Sequence, residues 1–567
     1  MSVRKINRRV LLAVTLLIGN ASTARSIQGQ QPYPVTIERL DPESHGIGFV
    51  HTDGGNGNHY ILETVIGSLA LFDFDGDGLI DIYFVNGAPL PGSDENAMPT
   101  GKLYRNLGNF HFEDVTQRCG LADSHYGMGV VVADVDNDGD PDLFLSSFGE
   151  NAFYLNSGDG TFQLATDRSG LLMGPRFGAG NVFFDFNLDG NVDLFAASYV
   201  EFAMSQHRVR HINGYPFSLG PNDFPPAKHY LFLSNGDSTF VDVSKSSGLD
   251  SLRSTGMGAL SADFDDDGDM DLFVANDQKP NYLLLNDGKG HLEDDALLAG
   301  VALDQNGRAN GNMGVEYADI NNDGRLDFLT TTYQEEMPIF YENLGPGIYN
   351  DSTTKAKIDS KLLAHVKWGI GAVDFDNDGS KDVFVACGHF LRNIRFIDDR
   401  TSVKVPNFLL ANNGKGVFRD VSQSSGTALL EIESSRGAAF DDLDNDGDVD
   451  LVVLNVNARP TLGRTELQTA NRMICLQLVG TQSNRDAIGA SVEVISSSGQ
   501  IQKQVVMAGR GYESHYGTRL YFGIGDSQVS NVNIRWPSGK QERFVIGAER
   551  IEYLVEGSGT QDTKSKK

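Results

Sequence analysis

The chain has 567 residues, 64 of them glycine, a 40% hydrophobic content and a formal net charge of −30. That length exceeds a single typical core, so several domains or one large repeat array are expected. The acidity argues against nucleic-acid and anionic-membrane partners, which need a basic face, and three well-separated cysteines, Cys119, Cys387 and Cys475, make no disulfide framework.

The first segment reads as an export signal. Arg4, Lys5, Arg8 and Arg9 precede the apolar run 10–18, and Ser22 and Ala24 are placed for cleavage after Ala24. The run is too short to stay as a membrane anchor. Residues 1–24 are therefore expected to be removed, leaving a secreted, periplasmic or cell-surface protein without a transmembrane segment.

The next element is an acidic nonapeptide, "DFDGDGLID" at 73–81. It recurs at 134–142, 185–193, 263–271, 319–327, 374–382 and 442–450, at an average spacing of about 61 residues, near the length of a four-stranded propeller blade. Ahead of the loops lie small-residue strands such as "GMGVVVADVD", and behind them apolar β runs such as "DLFLSSF". Hairpins such as "NAFYLNSGDGTFQLAT" follow, with Asn-Gly and Gly-Asp turn chemistry. Six outer hairpins stand against seven acidic loops, and residues 34–47 supply the missing outer strand. The expected fold is all-β: a seven-bladed β-propeller over 25–470.

The loop spacing points to a cation. Position one is Asp73, Asp134, Asp185, Asp263, Asp319, Asp374 or Asp442; position three is Asp75, Asp136, Asn187, Asp265, Asn321, Asp376 or Asp444. Position five is Asp77, Asp138, Asp189, Asp267, Asp323, Asp378 or Asp446; position nine is Asp81, Asp142, Asp193, Asp271, Asp327, Asp382 or Asp450. Two carboxylates about 4 Å apart repel by roughly 4 kcal/mol at an effective dielectric near 20. Oxygen donors at positions 1, 3, 5, 7 and 9 around a glycine at 6 follow the logic of an EF-hand loop, and an all-oxygen set favours Ca²⁺ over Mg²⁺ or Zn²⁺. Up to seven structural Ca²⁺ ions are expected, held less tightly where Asn187 and Asn321 replace a carboxylate.

Strand order places all seven loops on one face. Residues just before the inner strands then ring the channel mouth on the other: Glu63, His125, Arg176, Thr255, Asn312, Lys367, Trp368 and Arg436. Two long insertions, 199–229 and 388–407, emerge there with His207, Arg208, Arg210, His211, His389, Arg392 and Arg395. Glu63, Arg176, Lys367, Trp368, His389 and Arg436 are the ligand-binding candidates for a glycan or protein. The alternative is a lyase or dehydratase acting on acidic sugars, with His125 or His365 as base.

Residues 471–557 read as a small β domain, and 558–567 as a polar, disordered tail. "NRDAIGASVEV" (484–494), "GRGYESHYGTRLYFGIG" (509–525) and "IRWPSGKQE" (534–542) resemble the three blocks of an ASPIC/UnbV domain, and the acidic loops resemble the FG-GAP/VCBS repeats of integrin α-subunit propellers. Together they are similar to the exported, cartilage acidic protein-like family. That resemblance implies a Ca²⁺-binding extracellular propeller with no agreed enzymatic activity.

Overall fold

The computed structural model describes residues 32–93, 98–547 and 551–561, so the export signal lies outside the described residues. Among the described residues no helix is long and apolar enough to cross a membrane.

Seven four-stranded antiparallel units follow one another along the chain; pairing of Arg176 and Phe177 with Gly149 and Phe148 joins the second and third into one eight-stranded sheet, and His515–Tyr516 add a fifth, parallel strand to the first. Their innermost strands are Leu69–Phe72, Tyr126–Ala133, Arg176–Phe184, Gly256–Ala262, Val315–Ala318, Lys367–Val373 and Ser435–Asp441. Each inner strand touches the next, and the last touches the first, which closes a β-propeller ring. The outer strand of blade 7 is Val35–Leu40, paired antiparallel with Thr461–Leu467 so that Val35 faces Leu467. The two ends of the ring are thus joined by backbone hydrogen bonds rather than by a covalent link.

Inner-strand glycines set the width of this ring. A Cβ added to Gly129, Gly180, Gly258, Gly314 or Gly369 would lie 2.3–2.6 Å from a carbonyl oxygen in or just ahead of the next inner strand, far inside contact distance. Gly437 meets Gly67 O and the Ser514 hydroxyl in the same way. Blade 1 has Ser68 here instead, and its hydroxyl donates to Met128 O. The recurrent Gly-x-Gly of the inner strands therefore permits close approach of neighbouring blades.

A second repeated residue links the blades. Asn106, Asn156, Asn286 and Asn412 end the third strands of their blades. Each donates through Nδ2 at 2.7–2.8 Å to a loop carbonyl of the preceding blade, respectively Leu443, Phe74, Phe186 and Ile320. Each also donates to a carbonyl of its own acidic loop. Asn286→Ala orphans these buried acceptors, and its expected cost is about 2–3 kcal/mol, read from urea unfolding. A loss below about 0.5 kcal/mol would show that water replaces the side chain.

The C-terminal segment builds two small sheets. Arg472–Val479 pairs with Leu520–Gly525 and Ile551–Val555, and Ser491–Ser496 lies between Ile501–Val505 and Val529–Arg535. Thr560 and Gln561 pair antiparallel with Arg543 and Glu542; the rest of the expected tail, beyond 561, lies outside the described residues. Leu476, Val492 and Trp536 share one apolar cluster with Phe183 and Phe195 of blade 3. The C-terminal segment is therefore continuous with the propeller core, and the described residues from Tyr33 onward form a single unit.

Candidate metal loops and the opposite face

All seven acidic loops share one backbone. Position four, which is Gly76, Asn137, Leu188, Asp266, Asn322, Asn377 or Asn445, is left-handed in each, with φ between 54° and 70°. The position-six amide donates to a position-one carboxylate oxygen at 2.7–3.1 Å in every loop. The position-five carboxylate accepts from the amide of position seven and so holds the turn rather than pointing freely outward.

Position nine is the most deeply built. Each of these aspartates accepts a backbone N–H from the third strand of its own blade at 2.7–2.9 Å. All but Asp382 also accept the position-two amide, at 2.8–3.1 Å. Asp382 takes the Tyr33 hydroxyl instead. Burial pushes these carboxyls up, Asp142 to about 9 and Asp271 and Asp327 to about 8, against only partial relief from the amides.

The carboxylates converge as a cation requires. Ligand oxygens from positions one, three and nine lie within 4.8 Å of one another in the loops at Asp73, Asp134, Asp263 and Asp442. In the loop at Asp374 the group is Asp374, Asp376 and Asp378. The loops with Asn187 and Asn321 bring no third carboxylate into such a group. Asp75 Oδ1, Asp263 Oδ1 and Asp444 Oδ1 are buried without a hydrogen-bond partner. Crowded, partly orphaned oxygens with no nitrogen or sulfur donor fit a hard divalent cation. Such an ion would supply the charge that neutralises these loops, and the amides of positions six and seven hold the carboxylates in place.

The C-terminal domain covers this face. Arg519 donates to Gly78 O at 2.8 Å, and the Asp134 amide donates to Asp486 at 2.8 Å. Arg535 donates to Asp263 at 2.7 Å and Gln500 to Gly379 O at 3.0 Å. Arg519 also donates to Asn445 at 3.3 Å, so five acidic loops are touched. Trp536, at 1% exposure, is a core residue.

From this face the segment 507–516 enters the channel. His515 and Tyr516 pair parallel with Ala70 and Leu71, and bridges tie Ala508 to Phe183 and Gly511 to Val315. Arg510 donates twice to Glu316, at 2.9 and 2.8 Å, and Tyr516 OH donates to the same carboxylate at 2.7 Å. Tyr512 reaches the far end, where its hydroxyl donates to Val65 O and its ring packs 5.1 Å from Trp368. The channel is plugged by the chain's own C-terminal domain.

Glu513 lies within this plug at φ 51°, with both carboxylate oxygens buried and unpartnered. Burial drives its pKa well above 4.5. A raised acid stabilises most below its unfolded pKa and loses that contribution as pH rises towards its folded one. The advantage of Glu513→Gln over the parent chain is therefore expected to widen by about 1.4 kcal/mol per pH unit above the ordinary carboxyl range. Urea melts at pH 5 and 8 read this difference; an unchanged gap would mean that the carboxyl finds a partner.

The plug changes the reading of the channel mouth. Lys367, Trp368, His389 and Arg436 are each at most 1% exposed and Glu63 is 8% exposed, so they form no open ring. Lys367 Nζ donates to Tyr333 O and Glu336 O, and burial pushes its pKa down to about 7. Arg436 lies 4.2 Å over the Trp368 ring and donates to Ser435 O. Glu63 accepts the Tyr60 amide, and His389 accepts the Leu391 amide. Of the ligand candidates, Arg176 lines a cavity of about 680 Å³. The two candidate bases occupy separate surroundings: His125 pairs with Asp123 at 2.8 Å, whereas His365 contacts Thr401 at 3.2 Å.

Comparison with known proteins gives matching descriptions. The FG-GAP-like repeat model matches 73–145, 134–196, 263–330 and 374–453, and the ASPIC and UnbV model matches 480–559. Cartilage acidic protein 1 of Mus musculus is 25% identical over 342 residues, 58% of this chain and 49% of that protein. The Xenopus tropicalis protein of the same name is 25% identical over 438 residues, 73% of this chain and 61% of its own. The chain spans about half the length of the first mammalian relatives it matches. Among solved structures, a Burkholderia pseudomallei lectin is 10% identical with a TM-score of 0.42, covering 71% of this chain and 97% of its own. The Vibrio cholerae biofilm matrix protein Bap1 is 13% identical with a TM-score of 0.28, covering 66% and 60%. Scores this low say nothing of ligand.

Proposed function

Because this chain is an FG-GAP-like repeat protein carrying an ASPIC and UnbV domain, we propose that it is an exported, calcium-stabilised binding module. Its ligand, an extracellular glycan or protein, docks on the face opposite the acidic loops. One observation carries this reading: the C-terminal domain covers the loop face and fills the channel, so the insertion face holds the accessible loops. Tyr215 of one insertion stacks on Phe396 of the other at 4.0 Å, both with exposed rings. Asn393 donates to Pro216 O at 3.0 Å, which joins the insertions into one surface. The test masks each face in turn with a polymer coupled to an introduced cysteine. A panel of surface polysaccharides and matrix proteins should lose binding when the label sits at Arg208→Cys and keep it when the label sits at Val545→Cys. The reverse pattern would move the ligand to the C-terminal domain.

The enzymatic alternative keeps one specific support. Asp123 orients the half-exposed His125 ring and accepts the Tyr154 hydroxyl at 2.8 Å, and His125 lines a cavity of about 400 Å³. The Asp123 hydrogen bond holds the His125 pKa above its ordinary value. Turnover of a uronate polymer that disappears in His125→Ala would favour a lyase; binding without turnover, unchanged in that variant, would exclude it.

A further inference from the structure

We propose that the cavity beside Arg176 is a binding site for an oligosaccharide carrying uronate residues. The proposal rests on the insertion face being the ligand face: Arg176 starts the inner strand whose other end leads into the Asp185 loop.

The guanidinium is committed only to neutral groups. Its Nη1 donates to Ala197 O at 2.6 Å and Ser198 Oγ at 2.9 Å, and its Nε to Asn151 Oδ1 at 3.3 Å. Nη2 is buried and has no partner. Among the described residues no carboxylate pairs with Arg176. Burial lowers its pKa only to about 10, so it remains charged at neutral pH. A charge enclosed in this way is costly until an anion lies beside it.

The cavity supplies the remaining features. Lys228 Nζ lies 4.4 Å from the centre of the Tyr230 ring, and Arg176 lies 5.7 Å from it. The ring is pinned by its hydroxyl, which donates to Met173 O at 3.1 Å. Arg253 is matched by Glu201 at 2.8 Å, whereas Lys228 reaches Asp250 only at 4.0 Å. Three cations against two carboxylates leave the lining one charge positive, in a chain of net charge −30. Phe177 and Phe202 add an apolar wall. The volume, about 680 Å³, falls in the range of small-ligand sites. One uncompensated guanidinium, an ammonium over an aromatic ring and flat apolar surface match a sugar ring that pairs one carboxylate with a hydrocarbon face. An acidic peptide would bring several carboxylates to a wall with a single surplus charge.

Calorimetric titration of the full chain with oligogalacturonate, its methyl ester and oligoglutamate tests this. The acid form is expected to bind at least tenfold more tightly than the other two. Lys228→Glu, a half-exposed position that should leave melting unchanged, and Arg176→Gln are each expected to weaken it at least tenfold. Equal binding of the ester or of oligoglutamate, no binding at all, or a Lys228→Glu effect within twofold would overturn the site. The polymer at Arg208→Cys separates the two levels. Binding that survives Lys228→Glu but is blocked by the polymer removes this cavity and keeps the face; binding that survives both removes the face as well.

Discussion

Stripping calcium from the purified chain with excess EDTA is expected to lower its melting temperature by on the order of 20 °C. Five loops bring three carboxylates within 4.8 Å of one another. At a free ion concentration a hundredfold above its dissociation constant, each site stabilises the folded chain by about 2.7 kcal/mol. Five such sites give roughly 13 kcal/mol, and in a chain of this size 1 kcal/mol moves the midpoint by about 2 °C or less. Without an ion the same burial works against the fold, since the Asp142 and Asp271 carboxyls are pushed to about 9 and 8. Calcium should restore the midpoint and magnesium should not, because the smaller ion gives up its waters reluctantly. Elemental analysis is expected to find about five firmly held calcium ions, with the Asn187 and Asn321 loops the first to empty. A midpoint indifferent to EDTA would remove the metal from this account altogether.

Replacing Glu316 with alanine is expected to cost about 3–5 kcal/mol and to release the plug from the channel. The carboxylate is fully buried and holds both arms of Arg510, the Tyr516 hydroxyl and the Ala372 amide. Its removal leaves the guanidinium charged and unpaired inside the ring, which is the expensive way to break a buried pair. The double variant Glu316→Ala, Arg510→Leu should recover much of the loss, because no lone charge remains. Limited proteolysis reads the event directly: cleavage within 507–518 should appear in the single variant and fade in the double one. Equal cleavage in parent and single variant would mean that the plug is held by its backbone pairing with Ala70 and Leu71 alone.

The ring of blades is legible in the sequence because its parts are local. An acidic turn around a glycine at position six and a Gly-centred hairpin each fix a few residues by themselves, and their spacing then counts the blades. The closing strand at 35–40 is legible by subtraction, as the one outer strand that the hairpins lack. The plug is not, because nothing short-range makes "GRGYESHY" a buried strand; its place depends on a channel assembled from seven distant segments. The same gap explains Lys367, Trp368 and Arg436. Strand order gives the end of the channel they occupy, but not that Tyr512 arrives from the opposite side to cover them. The glycines where inner strands meet do imply a narrow bore. The Asn that ends the third strand of blades 1, 2, 4 and 6 reads equally well as ordinary turn chemistry ahead of the Gly two residues on.

The pairing of Val35–Leu40 with Thr461–Leu467 carries a consequence for the order of events during folding. These partners lie more than 420 residues apart, and contacts of such sequence separation form slowly because the chain between them must first be ordered. The ring cannot close until blade 7 has been made, and the plug follows about 40 residues later still. Until Leu467 has been made, a nascent chain therefore has an open ring and an unpaired Val35–Leu40 strand, and until Tyr516 has been made its bore is empty. The exported, calcium-stabilised state proposed above would then be reached in one late step, as the closing strand, the C-terminal domain and the plug come together.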